Sequence, residues 1–194
     1  MNFVFFLLYC CLMIITPGPT NIMILTTVHN YGVKRAFEFS IGASFAFFVL
    51  LSISVIFNSL LINYLPNIIV ILQVVGAMYM LYLAYQILKI NNTSKKENQF
   101  SSFKTGFFMQ FVNPKPVLFA LTVFPSFILP YYTSFWYLTL FVVLITIIAC
   151  LAFLSWILFG KVLKSFLDKY NKLVNNIMAI FLIICAVVIS GIFN

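Results

Sequence analysis

Six apolar stretches, each long enough to cross a lipid bilayer as a helix, follow one another along this chain with short connections. Crossing a hydrocarbon core of about 30 Å takes roughly 20 apolar residues. The chain is 64% hydrophobic and only 7% charged, with a mean hydropathy of +1.14, and no stretch is left over for a soluble domain. We therefore predict an all-α integral membrane protein with six transmembrane helices. The predicted spans are approximately 3–29, 37–62, 67–89, 104–129, 134–159 and 173–193.

The basic residues are grouped in three of the five connections. The net charge is +8, and all Lys and Arg residues except Lys115 lie in or beside the first, third and fifth loops. Because cytoplasmic loops of membrane proteins carry an excess of Lys and Arg, these loops are predicted to be cytoplasmic. Both termini are then extracytoplasmic, in a multi-pass protein of the cell membrane. This grouping also argues against a nucleic-acid surface, and we expect membrane lipids as the surroundings.

Two proline pairs interrupt the first and fourth spans, half a chain length apart. They are Thr16-Pro17-Gly18-Pro19 and Asn113-Pro114-Lys115-Pro116. Proline lacks an amide donor and collides with the preceding turn, so each pair should open its helix. Within a bilayer, such a break survives only where protein or a polar cavity satisfies the freed backbone groups.

The breaks occupy matching positions in the two halves of one transmembrane domain, 1–194. Repeat one covers about 1–90 and repeat two about 104–194, joined by a cytoplasmic linker at about 91–103. Three spans per half make the two repeats inverted. Weak internal symmetry with interrupted helices in corresponding places indicates a secondary transporter with a site near the midplane. The alternative is that Pro and Gly are common in membrane helices and that one kink per half arose by chance.

The residues at the breaks predict a site for an anionic group. Asn113 followed by Pro114 is a favourable helix start, and Gly18-Pro19 is similar. Helix N-termini present free amides and a partial positive charge, so we expect an amino-acid carboxylate there. The predicted substrate-binding residues are Thr16, Pro17, Gly18, Pro19, Asn21, Gln110, Asn113, Pro114 and Lys115.

Lys115 is the one basic residue far from both predicted membrane surfaces. A charge at mid-depth is disfavoured by roughly 2.5 to 3.5 kcal/mol, so such residues usually face a cavity and have a functional reason to be there. Three roles are open: binding the substrate carboxylate, donating to backbone carbonyls freed by the break, or losing a proton during transport. The structural alternative is a lysine that reaches back to the cytoplasmic surface.

Glu38 and His29 join Lys115 as candidates for proton coupling. Glu38 is the one acid near a span, and an i,i+4 pair with Lys34 is its structural explanation. His29 is a side chain that can titrate near neutral pH, although a lone histidine at a helix end more often caps the helix or faces water.

No catalytic site is predicted. One His and three acidic residues, all near or beyond the membrane surface, do not assemble paired carboxylates or an activated nucleophile. The four cysteines lie inside apolar segments without the spacing of a zinc site. We therefore expect no enzyme activity, no metal and no cofactor.

Three segments resemble a known family. They are residues 16–21 (TPGPTN) with 32–35 (GVKR) and Gly42, residues 76–84 (GAMYMLYLA), and residues 106–115 (GFFMQFVNPK) with 118–119 (LF). These resemble the opening signature, third helix and fourth helix of the lysine-exporter (LysE/RhtB) family of amino-acid efflux proteins, and the resemblance spans essentially the whole chain. Residues 110–113 (QFVN) and 127–130 (FILP) are most similar to the cysteine and O-acetylserine exporters. Thr20 and Pro116 depart from the family pattern.

The resemblance implies export of small amino acids from the cytoplasm by proton antiport, with both proline motifs near the substrate. The expected partners are therefore a small amino acid and protons, and a homo-oligomer is left open. Two alternatives remain. A non-transporting scaffold or sensor is favoured by the scarcity of acidic residues within the membrane, and a passive channel would allow flux without accumulation.

Overall fold

The computed structural model describes residues 2–90 and 102–189, and for residues 57–73, 76, 90, 168, 188 and 189 it describes the backbone alone. Within these ranges the chain is helical and contains no strand. The elements are α1 (Phe3–Ile15), α2 (Pro19–Tyr31), α3 (Val33–Ile90), α4 (Phe103–Val112), α5 (Pro114–Val123), a π-helical turn (Phe124–Ile128), α6 (Phe135–Val162), α7 (Lys164–Lys169) and α8 (Asn171–Ile189). The predicted all-helical class is confirmed.

The first predicted span is broken where the sequence predicts it. Helix α1 ends at Ile15 and α2 begins at Pro19, and their axes differ by 49°. Pro19 occupies the first turn of α2, where its missing amide costs no helical hydrogen bond. The far end of α2 is closed by Gly32, whose positive φ of 87° favours glycine and separates α2 from α3.

The fourth predicted span is broken more sharply. Helices α4 and α5 meet at Asn113 with a bend of 63°. The Asn113 side chain caps α5 by accepting a hydrogen bond from the Lys115 amide at 3.1 Å. A π-helical turn that we did not predict follows α5, where the Leu129 amide donates to the Phe124 carbonyl at 2.9 Å. Pro125 lies in this turn, and its missing amide favours the wider hydrogen-bond pattern.

The predicted loop between the second and third spans is not found as a break. Helix α3 is continuous over 58 residues, including positions 63–66. At about 1.5 Å per residue it is much longer than one crossing of a hydrocarbon core of about 30 Å. The region contains a single proline and no glycine or charged residue between 57 and 73, so little in it terminates a helix. Among its described residues, the first part, Val33–Ile56, qualifies as a candidate membrane span.

Among the described residues, two helices are long and apolar enough to cross a membrane, Val33–Ile56 and α6. Counting each bent pair as one span raises the number to four, and Asn171–Val187 in α8 is a shorter apolar helix. The six-span inverted repeat, its orientation and its domain limits therefore stay predictions. The predicted linker at 91–103 lies outside the described residues except for its last two positions, where Ser102 caps α4.

Helices α3 and α4 cross in close contact because glycine stands on both sides. A Cβ atom on Gly42 would collide with the Phe103 carbonyl oxygen, and one on Gly106 would collide with the Phe39 carbonyl oxygen. Close approach through small residues is typical of helix packing in membranes. This contact fixes α4 against the first part of α3 and so positions the second break.

Large apolar side chains cover much of the outer surface. Trp136 is 76% exposed and Val162 is 80% exposed, and similar residues recur along α1, α6 and α8. Extensive exposed apolar surface of this kind is typical of a protein that contacts a membrane.

Candidate functional site

The two breaks meet at one cavity. Its walls come from α1, the first turn of α2, α3, α4, α5 and α6. The lining residues are Met13, Ile14, Gly18, Thr20, Asn21, Phe47, Gln110, Asn113, Lys115, Pro116, Phe119 and Phe153. Five predicted site residues, from both proline motifs, are thus brought together, and three phenylalanines form an apolar wall.

The first break frees the carbonyls at the end of α1, and side chains satisfy them. The Asn21 amide nitrogen donates to the Ile14 carbonyl at 3.0 Å and to the Thr16 carbonyl at 2.9 Å. The Trp156 indole nitrogen on α6 donates to the Ile15 carbonyl at 3.0 Å. The break is therefore stabilised by donors from two other helices, as a helix end within a membrane requires.

Lys115 supplies a further donor and links the two breaks. Its Nζ atom lies 2.9 Å from the Thr16 carbonyl oxygen and 2.9 Å from the Thr16 hydroxyl oxygen. The lysine therefore ends at the C-terminal, negative end of α1, a favourable place for a cation. In this conformation Lys115 performs the second of its three predicted roles, donation to a freed carbonyl.

Gly18 leaves room for the Lys115 side chain. A Cβ atom at Gly18 would lie 3.1 Å from Lys115 Cδ and 3.3 Å from Nζ. The backbone of Gly18 is extended, with φ at −165°, so the position requires a small residue and not an unusual backbone conformation. The amine therefore lies directly against the residue that precedes α2.

A buried polar chain also joins the two breaks at the cavity. The Asn113 amide nitrogen donates to the Thr20 hydroxyl at 3.0 Å, and that hydroxyl donates to the Gln110 side-chain oxygen at 3.1 Å. The Gln110 nitrogen donates in turn to the Ala43 carbonyl at 3.3 Å. All three side chains are buried, so the network ties the start of α2 to α3, α4 and α5.

The two helix starts lie close together but differ in what they offer an anion. In α5, Pro114 and Pro116 have no amide, and the Lys115 amide is already bound to Asn113. In α2, no acceptor is found for the amides of Thr20 and Asn21 among the described residues. The amides of Thr20 and Asn21 are therefore two backbone donors available at the start of α2.

The cavity is small in this conformation. Its volume is about 40 Å³. A single water requires about 10–15 Å³ by this measure, so there is room for only a few water molecules. A solute of amino-acid size therefore requires the walls to move apart.

Comparison with known proteins decides the family. The LysE type translocator family matches residues 11–190. This chain belongs to the LysE type translocator family. The predicted family resemblance is confirmed.

Several similar proteins carry the name cysteine/O-acetylserine efflux protein. The one from Klebsiella pneumoniae is 30% identical over 183 residues, which cover 94% of this chain and 93% of the relative. The one from Salmonella typhimurium is 31% identical over 184 residues, and the one from Escherichia coli O139:H28 is 30% identical over 185 residues, each covering 92% of both chains. No solved structure matches the chain.

Three predicted site residues of this LysE-family protein shape the breaks without lining the cavity. Pro17, Pro19 and Pro114 are absent from the cavity walls, and the last two begin α2 and α5. Thr16 also stays out of the wall but accepts the hydrogen bonds from Lys115.

Glu38 and His29 lie away from the cavity. Glu38 pairs with Arg35 at 2.7 Å, an i,i+3 contact. The expected pair with Lys34 is wrong because the forked guanidinium of Arg35 reaches the carboxylate one residue closer.

His29 is buried in the last turn of α2, with its Nε2 atom 3.3 Å from the Asn171 side-chain oxygen on α8. The alternative expectation that His29 faces water is therefore wrong, because α8 packs against this side chain. Of the three proton-coupling candidates, Lys115 alone lines the cavity.

Sequence reasoning missed several residues of the site. Thr20 and Pro116 lie within the motifs and depart from the family pattern, yet both line the cavity. Trp156 carried no signal in the sequence, since it is an isolated tryptophan in a long apolar helix. Among the described residues, no group of three His, Cys, Asp or Glu side chains is placed to hold a metal ion, and the cysteines are free thiols.

Proposed function

We propose that this LysE-family protein exports small neutral amino acids or their derivatives, of the cysteine and O-acetylserine kind, from the cytoplasm. The observation that carries the proposal is the Lys115 amine, held beside the start of α2 in a cavity that both breaks form. The names of the relatives, which are cysteine/O-acetylserine efflux proteins, support the substrate class.

The substrate carboxylate takes the place of the Thr16 carbonyl as the partner of Lys115. A carboxylate is the stronger acceptor for an ammonium group, because both partners carry a full charge. The amides of Thr20 and Asn21 and the positive end of α2 stabilise the same negative group. The phenylalanine wall of the cavity receives the small side chain.

Transport requires the cavity to widen and then to open on the other side. We propose that the six predicted spans form two inverted repeats in the cell membrane, with the basic loops in the cytoplasm, and that the repeats rock about the breaks. Lys115 and the chain of Thr20, Gln110 and Asn113 bridge the two repeats, so replacing one of these bonds with bonds to substrate loosens their contact.

We further propose that export is coupled to proton entry. In the simplest antiport scheme, the protein releases its proton before it binds the substrate. Lys115 must keep its proton, and with it the positive charge, to bind a carboxylate. One lysine therefore does not serve both as the proton carrier and as the group that binds the carboxylate. With Lys115 as the carboxylate ligand, His29 is the stronger candidate for the proton. It is buried on the same helix whose first turn lines the cavity, about 12–14 Å from that turn at 1.5 Å per residue.

Flux measurements in liposomes test this function. The purified protein is reconstituted and screened with labelled L-cysteine, O-acetylserine and other neutral amino acids, with and without an imposed pH gradient. We expect accumulation driven by the gradient. Flux without accumulation would indicate a passive channel, and no flux under any gradient would favour a scaffold or sensor.

The site assignment is tested in the same liposomes with Lys115→Met, which keeps most of the length of the side chain and removes its charge. A hydrogen bond to a charged group contributes about 1.5–3 kcal/mol, so transport should fall at least about 10-fold. Lys104→Met is the matched control, because Lys104 is exposed on the first turn of α4. Equal transport by wild type and Lys115→Met would contradict the assignment.

A further inference from the structure

The orientation of the Asn21 side chain is fixed by its nitrogen. Nδ2 lies 3.0 Å from the Ile14 carbonyl oxygen, 3.5 Å from that of Ile15 and 2.9 Å from that of Thr16. Carbonyl oxygens only accept hydrogen bonds, so the amide group cannot be flipped without placing oxygen against oxygen. The oxygen Oδ1 must therefore lie on the opposite side of the amide.

That oxygen is buried and has no hydrogen-bond partner among the described residues. The Asn21 side chain is 3% exposed and lines the cavity. Buried side-chain acceptors in native proteins nearly always have a partner, and the exceptions call for an explanation. Here the missing partner is a hydrogen-bond donor.

Asn21 and Lys115 converge on one atom. The Asn21 nitrogen and the Lys115 amine each lie 2.9 Å from the Thr16 carbonyl oxygen. The Lys115 amine and the Asn21 amide group, whose oxygen has no partner among the described residues, therefore both contact Thr16 at the first break. An α-amino acid carries the complementary pair, a carboxylate and an ammonium group separated by one carbon.

The acceptor, Asn21 Oδ1, is uncharged, and this matters because the site already contains the positively charged Lys115. An aspartate in place of Asn21 would form an ion pair with Lys115 and occupy the amine that the substrate carboxylate needs. An amide oxygen accepts from the ammonium without competing for Lys115. The two residues together then bind a zwitterion and leave the net charge of the site unchanged.

We propose that Asn21 Oδ1 accepts a hydrogen bond from the substrate α-ammonium group, so that the site selects zwitterionic amino acids over carboxylic acids that lack the amino group. This inference rests on the proposed function and adds the determinant of selectivity. Asn21 is thus both a structural donor to the end of α1 and a specificity-determining acceptor.

Binding measured by fluorescence tests the inference. Trp136→Phe removes an exposed tryptophan and leaves Trp156, which is bound to the Ile15 carbonyl beside the site, as the single reporter. The detergent-purified full chain is titrated under reducing conditions with L-cysteine, with 3-mercaptopropionate, which lacks the amino group, and with N-acetylcysteine, in which that group is uncharged. Wild type should bind L-cysteine about 10- to 100-fold more tightly than either analogue, the range expected for one hydrogen bond to a charged group.

The variant Asn21→Leu should reduce this preference to about twofold or less. Thr20→Val is the matched control, because Thr20 lines the same cavity but contacts Asn113 and Gln110, so it should weaken all three ligands alike and keep the preference. If Asn21→Leu does not fold, Asn21→Ser serves as the second variant. The comparison of the three ligands in wild type tests the inference without any variant.

Two results would overturn the inference while leaving the proposed function intact. One is equal binding of L-cysteine and its analogues by wild type, and the other is an unchanged preference in Asn21→Leu and Asn21→Ser. Binding of none of the three ligands, together with absent flux in liposomes, would contradict the proposed function itself.

Discussion

Gly18 and Lys115 show how the size of one residue sets the chemistry of its neighbour at the first break. The lysine reaches Thr16 in this position because Gly18 has no side chain. The glycine is easily mistaken for a conformational requirement, since it stands between two prolines. Its extended backbone shows that the requirement is for space.

We therefore predict that Gly18→Ala lowers transport several-fold while the protein remains folded. The added methyl group would lie 3.1–3.3 Å from Lys115 Cδ and Nζ, so the amine must shift by a few tenths of an ångström. Liposome flux measures the effect, and thermal unfolding in detergent checks the fold. In a Lys115→Met background the same substitution should add little, because the contact that it disturbs includes the charged amine. Additive losses would contradict this account.

Helix α2 connects the candidate site to a second polar contact at its far end. Its first turn contributes Thr20 and Asn21 to the cavity, and its last turn contributes His29, which contacts Asn171 of α8. The next residue, Asn30, exchanges hydrogen bonds with Asn175, which lies one turn after Asn171 on α8 and is fully buried. A change in the contact between α2 and α8 therefore reaches the site through a single rigid helix.

For His29→Gln we predict that downhill exchange of amino acid persists while accumulation driven by a pH gradient is lost. Glutamine keeps a polar side chain able to bond to Asn171 but does not gain or lose a proton near neutral pH. Exchange and accumulation are measured in parallel in the same liposomes. Glu38→Gln is the control, because Glu38 is partly exposed and paired with Arg35 on α3. Wild-type accumulation by His29→Gln would exclude His29 as the proton carrier.

At the level of the helices, the sequence predicted the breaks better than the connections. Proline removes a donor and collides with the preceding turn wherever it lies in a helix, so two prolines in four residues act locally, and both breaks were found. The connection near 63–66 contains one proline, with no glycine or second proline between 57 and 73, and a helix continues through such a position when its other hydrogen bonds are kept. The π-helical turn after α5 was also missed. It contains a single proline, Pro125, and one proline does not by itself specify a π-helical pattern of hydrogen bonds.

For the molecule as a whole, the distribution of basic residues determines the predicted orientation in the membrane. Lys34 lies in the predicted first cytoplasmic loop, and Thr133 lies in the predicted outer loop between the fourth and fifth spans. Both side chains are exposed, so each is accessible to a label from its own side.

The orientation is tested with single cysteines in a chain from which Cys10, Cys11, Cys150 and Cys185 have been removed. In intact cells, a membrane-impermeant thiol reagent should label Thr133→Cys and leave Lys34→Cys unlabelled, since basic loops stay in the cytoplasm. Both positions should be labelled after the cells are opened. The reverse pattern in intact cells would show that the protein is inserted the other way.

The sequence by itself determined the helical membrane class, the two breaks and the family, because each depends on local chemistry: long apolar runs, proline stereochemistry and short motifs. The tertiary structure decided how the breaks are satisfied. It brought Lys115 to Thr16, Trp156 to Ile15, and Asn113 to Thr20, contacts between residues far apart in the chain. It also made the two helix starts differ, since the Lys115 amide of α5 is bound to its own cap residue, whereas no acceptor is found among the described residues for the Thr20 and Asn21 amides of α2. Such differences follow from which side chains the packing places within hydrogen-bond distance, and neither periodicity nor motif spacing specifies that.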